Sequence, residues 1–261
     1  MDKVKPNVDG ASETLLISLW SRAQVIKDDR KAKELVQRID YDFSRFEKWR
    51  KLLKYTIART TIFDTEVASF IAKHPHAVIV NIGAGLDTRF FRMDNGSIIW
   101  YELDLPNVIA LRKQFFVETE RYRFITASLT DEQWVSEIRE KELPVFFIAE
   151  GVLMYLEQSA VKEFFIRVAD HFPSAELLFE VVGPLFTKFK HPLIQTTQSK
   201  PSLKWWLYRT KELERWDKRL KVSAVFEPSD TVLSLLTSKL FGNKMIHVQL
   251  IQQGGERSTF S

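Results

Sequence analysis

The feature that most constrains this chain is the run Val78-Ile79-Val80-Asn81-Ile82-Gly83-Ala84-Gly85-Leu86-Asp87-Thr88-Arg89, followed by Ile98-Ile99-Trp100-Tyr101-Glu102-Leu103-Asp104. A β-branched run that empties into Gly-x-Gly reads as a buried strand ending in a tight turn. A second apolar strand that ends in an acid about 20 residues later completes the arrangement by which open α/β sheets hold a nucleoside. Gly83 and Gly85 have no Cβ, so the backbone turns sharply there and a ligand can approach it closely. A dinucleotide site would carry a third glycine at position 88, where this chain has Thr88. That substitution argues against NAD and FAD.

Alternating patterns extend the reading along the chain. The first 75 residues suggest helices. Leu15, Leu16, Leu19, Ala23 and Ile26 recur at helical spacing after Ser12, and Lys31–Ile39, Phe46–Ile57 and Thr65–Lys73 form three more helical segments. Strands are expected at His76–Ile82, Ser97–Asp104, Arg123–Ala127, Val145–Glu150 and Glu176–Val182. Helices are expected between them at Asn107–Glu120 (opened by Pro106), Asp131–Lys141 and Ser159–His171. Repeated strand and helix with apolar strands predicts an α/β fold with a mostly parallel sheet covered on both faces. The pattern breaks after Gly183. Residues 184–222 mix Phe186, Phe189, Trp205, Trp206, Tyr208 and Trp216 with many cations, and Lys221–Phe226, Thr231–Leu240 and Met245–Gln252 suggest strand, helix and strand. The simplest organisation is one domain over 1–261, with a helical cap (1–75), a core (76–183), an insertion or lid (184–222) and C-terminal strands and helix (223–261).

Composition removes several classes of function. There is no cysteine, so disulfides, thiolate zinc sites and a Cys nucleophile are excluded, and a reducing cytoplasm fits. Lys and Arg number 38 against 34 Asp and Glu, a net charge of +4 with the signs interspersed, so no nucleic-acid surface is expected. The N-terminus has no apolar signal segment, and the longest apolar stretch, Val145–Leu156, is interrupted by Glu150 and too short for a bilayer. The expectation is a soluble cytoplasmic protein with no membrane partner and no metal.

Five side chains stand out as candidates for the site. Asp104 ends the second strand, where a carboxylate can accept hydrogen bonds from both ribose hydroxyls. Glu102 points to the same side, and either acid fits that role, with Asp104 nearer the ligand-binding edge. The alternative for Glu102 is an ion pair with an N-terminal helix. Glu150 interrupts an apolar strand, which is costly unless the carboxylate is paired, and a ligand ammonium or an arginine would serve. Arg59, between two expected helices, suits bidentate recognition of a carboxylate. Tyr155, just beyond Glu150, is placed to orient an acceptor.

Asn81–Arg89, Tyr101-Glu102-Leu103-Asp104-Leu105-Pro106, Ala149-Glu150-Gly151-Val152-Leu153-Met154-Tyr155-Leu156 and the early Glu13-Thr14-Leu15-Leu16-Ile17-Ser18-Leu19-Trp20-Ser21-Arg22-Ala23 together resemble the leucine carboxyl methyltransferase superfamily. Within it they resemble the bacterial branch of polyketide O-methyltransferases. The resemblance covers about residues 10–183. It implies a class I methyltransferase fold with a seven-stranded sheet and S-adenosylmethionine (SAM) as cofactor, leaving S-adenosylhomocysteine (SAH). Carried over by position, Arg59 would hold the methionine carboxylate, and Gly83 and Gly85 would lie against the cofactor. Asp87 and Thr88 would brace that loop, and Asp104 would take the ribose. Ser128 and Leu129 would flank adenine, with Ser128 where the family has Asp, and Glu150 would face the methionine end.

A carboxylate acceptor is already ionised and needs no base, whereas a phenol would profit from one. None of His74, His76, His171, His191 and His247 stands out as such a base. This favours methylation of a carboxylic acid, with a small molecule as acceptor and the insertion as the source of its specificity. In the insertion, Lys188, Lys190 and Arg209 are candidates to attract an anion. Methylation of a protein C-terminal carboxylate and a non-catalytic SAM-binding module are the rival readings.

Overall fold

In a computed structural model of the chain, the described residues are 3–183, 194–228 and 243–251. Phe186, Lys188, Phe189, Lys190, His191 and the Thr231–Leu240 helix lie outside them. A 3-10 turn, Gly10–Thr14, leads into α1 (Leu15–Val25) and α2 (Arg30–Arg38). A longer 3-10 segment, Phe43–Leu52, runs into α3 (Leu53–Lys73). The core then alternates: β1 (Val78–Ile82), α4 (Phe90–Met93), β2 (Ile99–Asp104), α5 (Pro106–Arg112), β3 (Tyr122–Thr126), α6 (Trp134–Glu137), β4 (Val145–Ala149), α7 (Gln158–His171) and β5 (Glu176–Val181). After the insertion come α8 (Lys211–Trp216), β6 (Leu220–Phe226) and β7 (Lys244–Leu250).

The strands form one sheet in the order β3-β2-β1-β4-β5-β7-β6. The first five are parallel, and β7 runs antiparallel between β5 and β6. The chain moves outward from β1 through β2 to β3, then returns to the other side of β1 as β4. The crevice at the carboxyl ends of β1 and β4 is therefore a topological switch point.

Every side chain of β1 and β4 is buried, as a sheet covered on both faces requires. Val78, Val80 and Ile82 face one core with Phe147, Trp134, Phe164 and Phe165, while Ile79 faces the other with Phe63, Val67 and Phe146. Each such side chain contributes about 1.5–3 kcal/mol when removed from water. The N-terminal helices thus cover one face and α6, α7 and α8 the other.

Three helical expectations need correction. Phe46–Ile57 and Thr65–Lys73 are not two separate helices, because α3 is continuous through Arg59. No glycine or proline stands between them, and the burial of Phe63, Val67 and Phe70 outweighs the weak propensity of Thr60 and Thr61. The helix expected over Asn107–Glu120 ends at Arg112, whose side chain turns back into the glycine loop, and the one expected over Asp131–Lys141 is a single turn, Trp134–Glu137. The insertion aromatics also divide. Trp205 is buried and Trp216 packs beside it in the core, while Trp206 and Tyr208 are exposed and Arg209 lies over the Tyr208 ring.

Candidate active site

The loop after β1 adopts a conformation that only glycine accepts cheaply. Gly83 and Gly85 have φ of +60° and +50°. Gly83 N donates to Leu103 O at 2.8 Å, and Gly85 N donates to Asp104 Oδ2 at 2.7 Å, so the acid at the end of β2 is built into the loop. Asp104 Oδ1 accepts from Leu105 N at 2.7 Å. Burial raises the Asp104 carboxyl above its ordinary value, against the pull of these two amides.

Two fully buried guanidinium groups hold the surroundings. Arg112 donates to Gly85 O at 2.7 Å and Asp87 O at 2.8 Å, and it pairs with Glu102, both side chains being fully buried. This settles the Glu102 alternative with a different partner: its cation is on α5, not on the N-terminal cap. Asn81 Nδ2 donates to the same glutamate at 2.8 Å. Arg89 bridges Asp64 (2.7 Å), Asp87 (2.5 Å) and Glu150 (2.6 Å). Burial pushes the Asp87 carboxyl up, but Arg89, with Arg22, Arg92 and Arg112 behind it, pulls it well below the usual carboxylate range. Glu150 follows the same balance, with Arg59 and Arg89 overcoming burial. Thr88, where a dinucleotide site would have glycine, donates to Asp29 Oδ2 at 2.5 Å, and Asp29 Oδ1 caps α2 through Ala32 N at 2.9 Å. The threonine therefore ties the loop to the N-terminal helices.

A cavity of about 180 Å³ opens at this edge of the sheet. Of the residues singled out from sequence, Gly83, Gly85, Asp87, Asp104, Ser128, Leu129, Glu150 and Tyr155 line it, while Thr88 and Glu102 do not. Arg59 does not line it either. Its guanidinium forms ion pairs with Glu150 (Nε to Oε1, 2.8 Å) and Glu180 (Nη1 to Oε2, 3.2 Å), and its Nε, like that of Arg22, makes no hydrogen bond. Ser128 Oγ lies 2.7 Å from Thr130 Oγ1, and Ser128 N donates to Asp131 Oδ2 at 3.0 Å, forming a local turn at the end of β3. Burial pushes the Tyr155 hydroxyl up to about 12, so it stays a proton donor at neutral pH.

Sequence reasoning missed the arginine that does reach the cavity. Arg22 lines it from α1, is 4% exposed, and donates through Nη2 to Leu86 O at 3.3 Å. Its Nε is buried without a hydrogen-bond partner. The available signal was its register: Leu15, Leu19 and Arg22 fall on one stripe of α1, so a cation interrupts an apolar face. The chamber thus offers an acid at the end of β2, a close-approach backbone turn, and an arginine whose Nε has no hydrogen-bond partner. That donor set fits a nucleoside carrying an amino-acid tail.

Comparison with known proteins agrees. The family model for leucine carboxyl methyltransferase matches residues 9–169. The chain is 36% identical over 187 residues to the tetracenomycin polyketide synthesis O-methyltransferase TcmP of Streptomyces glaucescens, 69% of each chain being covered. It is 27% identical over 245 residues to the S-adenosyl-L-methionine-dependent methyltransferase dpfgK of Gibberella zeae, covering 82% of this chain and 81% of that one. Among solved structures, a DUF574 family protein from Streptomyces avermitilis superposes with a TM-score of 0.61 at 12% identity, covering 93% of this chain and 98% of that one. Magnesium protoporphyrin IX methyltransferase (ChlM) from Synechocystis with bound SAH gives 0.51 at 11% identity, covering 80% and 94%. These two likenesses speak to the fold. With the family model spanning more than half its length, the chain belongs to the leucine carboxyl methyltransferase family and is an S-adenosylmethionine-dependent O-methyltransferase.

Proposed function

We propose that the protein methylates a carboxylate of a small molecule. The observation that carries this reading is the state of the chamber's own acids. Asp87 and Glu150 are paired with arginines that hold both carboxyls below their ordinary values. Acids held ionised in this way are poor proton acceptors, so the chamber suits a nucleophile that arrives already deprotonated. Tyr155, kept protonated, donates a hydrogen bond that aligns such an acceptor. When bound, SAM supplies the electrophilic methyl on its sulfonium. The chain's part is alignment, which can account for much of the rate enhancement of a displacement.

In this reading Asp104 takes the ribose hydroxyls through the lone pairs its two amide contacts leave free. Ser128 and Leu129 border adenine, the Gly83–Gly85 backbone approaches the cofactor, and Asp87 braces that turn. Arg22, with its unsatisfied Nε, holds the methionine carboxylate, while Arg59 sets the position of Glu150 from behind. Arg22→Ala is then expected to weaken SAH binding more than binding of the decarboxylated analogue. If Arg59→Ala alone shows that difference, the two arginines exchange roles.

The acceptor class is tested with SAM carrying a labelled methyl group and a panel of small carboxylic acids and phenols. Labelled methanol released by mild alkali from the organic extract marks a methyl ester and is the expected result. An alkali-stable product overturns the carboxylate assignment. Label found in protein rather than in the extract moves the acceptor to a polypeptide C-terminus, and tight SAH binding with no turnover on the whole panel favours a SAM-binding module. Among the described residues no helix is long and apolar enough to cross a membrane. A cytoplasmic site of action is part of the same proposal and fits a chain without cysteine.

A further inference from the structure

Glu13 is a buried acid that the reaction as described does not use. It is 3% exposed, in the Gly10–Thr14 turn, between Ser12 and Thr14, which both line the chamber. Its Oε1 accepts from the Tyr41 hydroxyl at 3.1 Å and from Gln198 N at 2.9 Å. Its Oε2 accepts from Ser199 N at 3.0 Å and Ser199 Oγ at 3.1 Å. Ser199 Oγ in turn accepts from Gly10 N at 2.8 Å. Burial pushes the Glu13 carboxyl up, but these donors bring it below its ordinary value. It is an anion whose charge is spent on a turn of chain 185 residues away.

That turn belongs to a strap, residues 194–205, with a second tie at its far end. Lys204 N and Trp205 N both donate to Met154 O, at 2.7 and 3.2 Å, and Met154 adjoins the chamber residue Tyr155. The strap therefore runs from one wall of the chamber to another. Between its ties it folds tightly. Thr197 Oγ1 donates to Ile194 O at 2.7 Å and accepts from Lys200 N at 3.2 Å, and Lys200 has a φ of +44°, a conformation that side chains rarely adopt. Trp205 is anchored in the core.

We infer that Glu13 is a positioning residue that latches the 194–205 strap to the wall of the cofactor chamber, so that filling the chamber and ordering the strap become one event. The inference rests on the chamber being the SAM site. A ligand that fixes Ala11, Ser12, Thr14 and Leu15 also fixes Glu13, and with it the two strap amides. Glutamine in its place keeps the shape but presents an NH2 group to donors, so one strap amide loses its acceptor. The turn itself retains its own bond from Ser12 N to Asp9 O at 3.0 Å.

Hydrogen exchange over 194–205, with and without SAH, tests this in the native chain, Glu13→Gln and Ser199→Ala, with SAH affinity followed by calorimetry. In the native chain SAH is expected to slow exchange in the strap about tenfold or more. In Glu13→Gln that SAH-dependent slowing disappears while the SAH Kd changes by less than about threefold, a split that general destabilisation does not produce. Ser199→Ala, which removes one donor and the acceptor of Gly10 N, keeps part of the effect. Undiminished SAH-dependent slowing in Glu13→Gln overturns the latch, as does SAH binding to the native chain with no slowing at all. If Glu13→Gln fails to fold, Ser199→Ala decides, and native-like slowing in it overturns the latch. Absence of SAH binding to the native chain removes the chamber assignment instead, and calorimetry separates that failure from failure of the latch.

Discussion

Two walls enclose the chamber, and different physics holds each in place. The sheet-edge wall, from Asn81 to Asp87 with Asp104 and Glu150, is fixed by left-handed glycines and by Arg89 and Arg112, both fully buried. The facing wall, the Gly10–Thr14 turn with its strap, is fixed mainly by hydrogen bonds that chain amides donate to one acid and one carbonyl. Buried multivalent ion pairs are costly to assemble and costlier to break, so they define one geometry. Amide ties to a strap exchange more readily.

The largest expected effect falls on the rigid wall. Arg89→Ala leaves Asp64, Asp87 and Glu150 without their common cation, and urea unfolding is expected to show a loss of about 3–5 kcal/mol. A variant as stable as the native chain would dissolve the contrast. Next is Gly83→Ala. At φ +60° an added Cβ would stand 2.3 Å from Val152 Cγ2, and the combined strain and crowding cost about 2–4 kcal/mol, with loss of SAH binding in calorimetry. Full SAH affinity in this variant would mean that the loop is not as constrained as its backbone implies.

Asp104→Asn sharpens the comparison from the ligand side. Loss of a charged acceptor should raise the SAH Kd by about tenfold to a hundredfold, with a smaller change in stability from the Gly85 contact. An unchanged Kd would remove the ribose role.

A charge cluster away from both walls provides a control. His247 lies between Glu66 and Glu176, at 2.8 Å from each. Burial works against its charge, but the two carboxylates raise it above its ordinary value of 6.5. The raised folded value means the stabilisation is full below about pH 6.5 and drains as pH rises through the folded value. His247→Gln should cost about 1–2 kcal/mol at pH 6 and progressively less in alkali, with SAH affinity unchanged at fixed pH. A pH-independent difference would show that His247 acts by packing alone. The smallest effect belongs to the exposed insertion. Trp206→Ala should change stability by less than about 0.5 kcal/mol, and a larger loss would show the strap region to be more rigid than its ties suggest.

How much of this was legible depends on how local each cause is. The strands could be read because their apolar runs report burial on both faces, and β1, β2 and β4 lie within two residues of where the pattern put them. The place of Asp104 at the cavity edge was legible because its position at a strand end already fixes which edge of the sheet it lies on. The expected break around Arg59 was not found because nothing local distinguishes a polar stretch within a packed helix from a break between two helices. Arg22 was overlooked, since an arginine in an amphipathic helix usually faces water, and only docking of α1 against the loop turns it inward.

The sequence by itself determined the alternation of strand and helix, the glycine turn, the acid that answers it and the family to which they belong. These follow from spacing along the chain and from the few residue types that tolerate a left-handed backbone. Tertiary structure alone decided which cation meets which anion. Arg112 reaches Glu102, Arg89 gathers three carboxylates, and Glu13 binds a strap far along the chain, because ion-pair partners are chosen by proximity in space, and burial gives each pairing its weight.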